Sequence, residues 1–153
     1  MNRLFVILMI LMASAAYAQE TDAVFSRCPD APDYPYYYPK LGYEGDFWAV
    51  KKYIYEGMAG QDFMALPHNT GLVSVHFWVN CRGQAGDFKT VCYGFDYKPV
   101  LVDERIVRHL LALCRGLRGW IPARLEGDGQ AVNSHKFFTF RIDHGQLVDI
   151  LPQ

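Results

Sequence analysis

Five histidines and four cysteines are the residues of this chain best suited to chemistry. Their spacing argues against most of it. His68, His76, His109, His135 and His144 include no pair at H-x-x-x-H or H-E-x-x-H separation, the spacing that sets two imidazoles on one helix face for a metal. Cys28, Cys81, Cys92 and Cys114 contain no C-x-x-C, so zinc and thioredoxin-like chemistry are disfavoured. Cys114 follows His109 by five positions in a helical stretch, which turns thiol and imidazole to different faces. Asp103 and Glu104 serve a helix start better than a general acid or base. Gly127-Asp128-Gly129 reads as a turn, because no Lys-Ser/Thr follows to cradle phosphate, and there is no G-x-S-x-G elbow. The expectation is therefore a protein that binds. It is not read as an enzyme, and no catalytic residue, metal or cofactor is expected.

Residues 1–18 form a unit of their own. Arg3 precedes an apolar run over residues 4–13, and Ala16-Tyr17-Ala18 is a small-x-small cleavage site. This is the pattern of a signal peptide. The run over residues 4–18, 15 residues long, falls short of the ~20 a spanning helix needs. Membrane association is expected only if this segment is retained. Its removal leaves 14 basic and 16 acidic residues, a net charge of −2. That balance gives no electrostatic case for nucleic acid. A hydrophobic content of 51% against 20% charged residues suits one globular domain rather than a disordered chain. All four cysteines survive cleavage, and export to an oxidising compartment allows one or two disulfides among three full pairings.

Residues 19–42 carry four prolines between positions 29 and 39, mixed with tyrosines, and read as an extended segment lying over the domain. Residues 43–153 form the domain. Residues 46–56 predict a short helix, capped by Asp46, burying Ala49, Val50, Tyr53 and Ile54 and ended by Gly57. Residues 70–80, TGLVSVHFWVN, alternate most clearly, with Val73, Val75, Phe77 and Val79 on one face. A turn at residues 82–86 leads to a second strand at 87–93, making a hairpin. Asp103 caps a second helix with Ile106, Leu110, Leu113 and Leu117 in one stripe. Residues 134–142 alternate again, with Phe138, Phe140 and Ile142 together, and 147–151 can return as a fourth strand. Trp78 faces away from the Val/Phe set; it is either a binding anchor or a residue packed under the N-terminal segment. The fold class is α+β: an antiparallel sheet of three strands, or four with 147–151, packed on two helices.

This order resembles the TonB C-terminal domain, in its short single-domain periplasmic form. The likeness rests on Tyr43-Glu-Gly45 with Ala49-Val50 and Tyr53-Ile54, and on Gly71-x-Val73-x-Val75-x-Phe77-x-Val79-Asn80-x-x-Gly83. It continues through Phe88 with Gly94, Asp103-Glu104 with Ile106-Val107, then Trp120-x-Pro122, Gly127 or Gly129, Val132 and Phe138-x-Phe140. The usual Tyr-Pro after the first helix is absent; Phe63-Met64 and Pro67 stand near its place.

The resemblance implies a binding module in the periplasm that holds an extended segment of an outer-membrane transporter by strand addition to an open sheet edge. By position the edge strand is 134–142, with Phe137, Thr139, Arg141 and Ile142 as the partner-binding residues and the first three turned away from the core. Two alternatives accompany this. The chain can be a structural envelope protein that dimerises through the same edge. It can be a membrane-anchored energy transducer if residues 1–18 stay attached. The short tether argues against the second, since about two dozen extended residues reach only about 80 Å.

Overall fold

Alternation of apolar and polar residues fixes most of the secondary structure. A computed structural model describes residues 24–35 and 38–151. In chain order the elements are β1 (Asp33–Tyr34), β2 (Gly42–Tyr43), α1 (Asp46–Met58), β3 (Gly71–Val79), β4 (Ala85–Tyr93), α2 (Glu104–Gly116), β5 (Trp120–Ile121), β6 (Asn133–Asp143) and β7 (Gln146–Leu151). The expected signal peptide lies outside the described residues. Among the described residues no helix is long and apolar enough to cross a membrane.

The main sheet has five strands. β4, β3 and β6 lie side by side, antiparallel, and both β1 and β7 pair with the far side of β6. β7 is antiparallel to the end of β6, from Thr139 to Asp143; β1 is parallel to its start, at Asn133 and Ser134. The sheet is therefore mixed, where a purely antiparallel one was expected, because the N-terminal segment adds a short parallel strand. β2 and β5 form a separate two-stranded ribbon.

Both helices cover one face. Val73, Val75, Phe77 and Val79 of β3 meet Phe138, Phe140 and Ile142 of β6 and Ile150 of β7, all fully buried. Onto these pack Val50, Ile54 and Met58 from α1, and Ile106, Leu110 and Cys114 from α2, with Leu117 just beyond its end. Fully burying one such side chain contributes about 1.5–3 kcal/mol. The buried stripe of α2 runs through Cys114, while Leu113 turns toward Gly57 of α1. Burial among apolar side chains pushes the Cys114 thiol up to about 12, leaving it an inert core residue.

The caps divide. Asp103 precedes α2 and accepts from the Arg105 N–H, as expected. Asp46 does not cap α1. The cap is Gly45, in the left-handed region at φ 76°, and Asp46 follows at φ 61° inside the first turn. Only glycine takes that first conformation without strain, so the chain turns one residue earlier than the acid suggests.

Candidate functional site

Of the four residues expected to line an edge strand, Thr139, Arg141 and Ile142 lie where β7 pairs with β6, and Phe137 lies between the spans that β1 and β7 pair. β6 is an internal strand, flanked by β3 along its length and by β1 and β7 on its other side. The cause is local. His144 at φ 48° and Gly145 at φ 76° make a tight turn of the kind that favours a two-residue hairpin, and β7 folds straight back. Ile150 then buries fully against the core. Phe137, Thr139 and Arg141 do face away from the helices, but Ile142 is in the core with no exposure.

Among the described residues β7 and β4 each pair along one side only, β7 with β6 and β4 with β3; β4 is the longer edge, nine residues against six. Among the described residues its ladder partner is β3, and only its last residues are covered on the outside. There Tyr93 bridges Pro99, and the Val100 N–H donates to the Cys92 carbonyl. Cys92 thus turns its backbone away from β3. Alternate residues of an antiparallel strand present their N–H and C=O to the same side, so Thr90 also points its donor and acceptor outward. Asp87 and Phe88 together oppose Phe77, a bulge in which Asp87 takes φ 54°. This bulge and the exposed Lys89 are devices that keep an edge from pairing with its own copy.

Beside this edge lies the sheet face that the helices leave bare. It carries rings. His76 stacks on Phe137 at 5.2 Å between centroids and on His135 at 5.4 Å. Trp78 meets His135 edge-on, also at 5.4 Å. Ser74 and Thr139 share a hydroxyl hydrogen bond of 2.7 Å behind them. Partial burial pulls both imidazoles below their ordinary value, and His76 lowers His135 further through like-charge repulsion. A depression of about 680 Å³ follows β4 here, lined by Arg27, His76, Trp78, Lys89, Val91 and Tyr93 among others.

Two walls bound the face. At the Trp78 end the N-terminal segment crosses it. Arg27 lies 4.9 Å over the Trp78 ring and pairs with Asp33; Phe25 packs on Gly86. The segment is fastened by the Cys28–Cys81 disulfide and by buried Asn133, whose amide bonds both the N–H and the C=O of Cys28. Of the two readings of Trp78, packing under the N-terminal segment is the one seen. At the other end stands the loop of residues 94–100, with Phe95 held 4.6 Å from the Arg141 guanidinium. Tyr97 at its tip is 77% exposed.

Among the described residues no group of three or more His, Cys, Asp or Glu is placed to hold a metal ion. His109, expected on a different helix face from Cys114, bonds the Gly57 carbonyl at 2.8 Å and ties the helices together. No protein-family model matches the chain, and neither a curated protein nor a solved structure matches it.

Proposed function

We propose that this chain is an exported protein-binding module of the cell envelope, resembling the TonB C-terminal domain, and not an enzyme. It takes an extended segment of an outer-membrane transporter by strand addition, at β4 rather than at β6. The observation that carries this is the outward backbone of β4 around Thr90, open beside a face rich in rings. Main-chain hydrogen bonds would supply affinity, and alternate side chains of the segment would drop toward Trp78, His76 and Val91. The order helix, strand, strand, helix, strand, with both helices on one face, supports the family reading. Self-association is the weaker reading, because the Asp87 bulge and Lys89 disfavour pairing between two β4 edges.

Hydrogen exchange tests it. Adding a synthetic peptide of a transporter's N-terminal segment is expected to slow exchange at the Thr90 amide. Thr90→Pro removes the outward donor while sparing the β3 ladder, and is expected to weaken binding about tenfold or more. Binding that survives Thr90→Pro, or that protects other strands instead, would rule out this edge.

A further inference from the structure

On the helix-covered side of the sheet lies a second, separate hollow. It opens between the start of α1, the β2–β5 ribbon and β6, and has a volume of about 380 Å³. That falls within the roughly 300–1,000 Å³ of small-molecule sites. Its walls are rings. Phe47 stacks on Phe138 at 5.8 Å, and Tyr43 meets Trp120 edge-on at 5.0 Å.

Charge at this hollow is one-sided in a specific way. Lys136 and Lys40 both line it. Lys136 is half-buried, its ammonium 5.4 Å from the centre of the Phe138 ring. Among the described residues neither lysine has a carboxylate within ion-pairing distance. Desolvation lowers the pKa of Lys136, so its charge is held at a cost that an incoming anion would relieve. Among the described residues Asp46 is the one acid on the wall; it is exposed, sits in the first turn of α1 and reaches neither lysine. A further group lacks a partner. Trp120 is 8% exposed, and its indole N–H is buried without an acceptor. Buried indole donors ordinarily find one. Apolar stacking surfaces and an ammonium with no carboxylate beside it together describe one ligand chemistry.

We propose that this hollow binds a small organic acid with a flat ring, the ring lodged among Phe47, Tyr43 and Trp120 and the carboxylate held by Lys136, with Lys40 at the mouth. The site is independent of β4 and of the peptide reading above. Lys136 supplies selectivity, because a charge-assisted hydrogen bond in a partly desolvated setting is about twice as strong as a neutral one. The rings supply area that does not discriminate between an acid and its amide.

The test uses the full chain, ¹⁵N-labelled, with 3-phenylpropionate as probe and 3-phenylpropionamide as its uncharged counterpart. The indole N–H signal of Trp120, told apart from those of Trp48 and Trp78 by single Trp→Phe variants, reads occupancy. The acid is expected to shift that signal saturably and to bind at least ~10-fold more tightly than the amide. Lys136→Met is expected to bring the acid down to the level of the amide, and Lys40→Met to weaken it less. Equal binding of acid and amide, no saturable shift, or full acid binding in Lys136→Met would each overturn the proposal. Should Lys136→Met disturb the rest of the amide spectrum, the acid–amide comparison on the unaltered chain decides alone.

Discussion

Single polar residues hold the places where chain segments far apart in sequence meet. The amide of Asn133 donates to the carbonyls of Cys28 and Ala31 and to the Asp33 carboxylate, and its oxygen accepts from the Cys28 N–H. Asn80 plays the same part in the β3–β4 turn, bonding Ser26, Arg82 and Gln84. Asn133→Ala leaves several buried backbone groups unpaired and is expected to destabilise the fold by about 2–4 kcal/mol, measured by urea denaturation. The imidazoles of His76 and His135 make stability depend on pH. Their pKa values are lowered in the folded chain, so between those values and the unfolded value near ~6.5 the unfolded state binds more protons. Stability is then full above about pH 6.5 and falls as pH drops through that interval. Denaturation midpoints at about pH 7.5 and about pH 5.5 should differ less in His76→Gln/His135→Gln than in the unaltered chain. An unchanged difference would assign the effect to other groups.

At the scale of elements, β7 decides what the sheet can offer. Its return covers the outer side of Thr139 to Asp143, which would otherwise be an open edge. The turn depends on Gly145, where φ is 76° and an added Cβ would lie 2.4 Å from the Phe63 carbonyl carbon. Gly145→Ala therefore meets both backbone strain and a backbone clash. The expected cost is about 2–4 kcal/mol, with β7 amides exchanging faster than those of β3. Uniform loosening of the whole sheet instead would mean that β7 is not a separable unit. The alternation of β3 and β6 was plain in the sequence, as was the apolar stripe of α2. The short β1, β2 and β5 were not. Two residues carry no period, and these strands exist only because partners from elsewhere in the chain lie alongside them.

For the whole molecule, the Cys28–Cys81 bridge joins the N-terminal segment to the turn after β3, across 53 positions. It fixes one wall of the bare face. Bridges of this kind form and persist in oxidising compartments. Peptide mapping by mass spectrometry of the chain recovered from the cell envelope is expected to find Gln19 as the first residue and peptides 28 and 81 cross-linked. Met1 at the start would reopen the membrane-anchored transducer reading. The candidate surfaces were only partly legible beforehand. Phe137, Thr139 and Arg141 were correctly turned from the core, because period two settles which face a side chain takes. Their strand was set at the rim, whereas β1 and β7 flank its start and its end, and Lys136 with Trp120 went unnoticed, because no local pattern links positions 40, 47, 120 and 136.

What the sequence determined alone was local: which stretches are helix or strand, which side of each is apolar, and that no familiar catalytic or metal spacing is present. Such features depend on residues within a few positions of one another, and backbone geometry turns them into faces. Tertiary structure decided the order of strands, and with it which edges are left open, which cysteines pair and which lysine is half-buried without an acid. Those outcomes depend on how the whole chain shares one limited core, and contacts between distant segments leave no periodic trace in the order of residues.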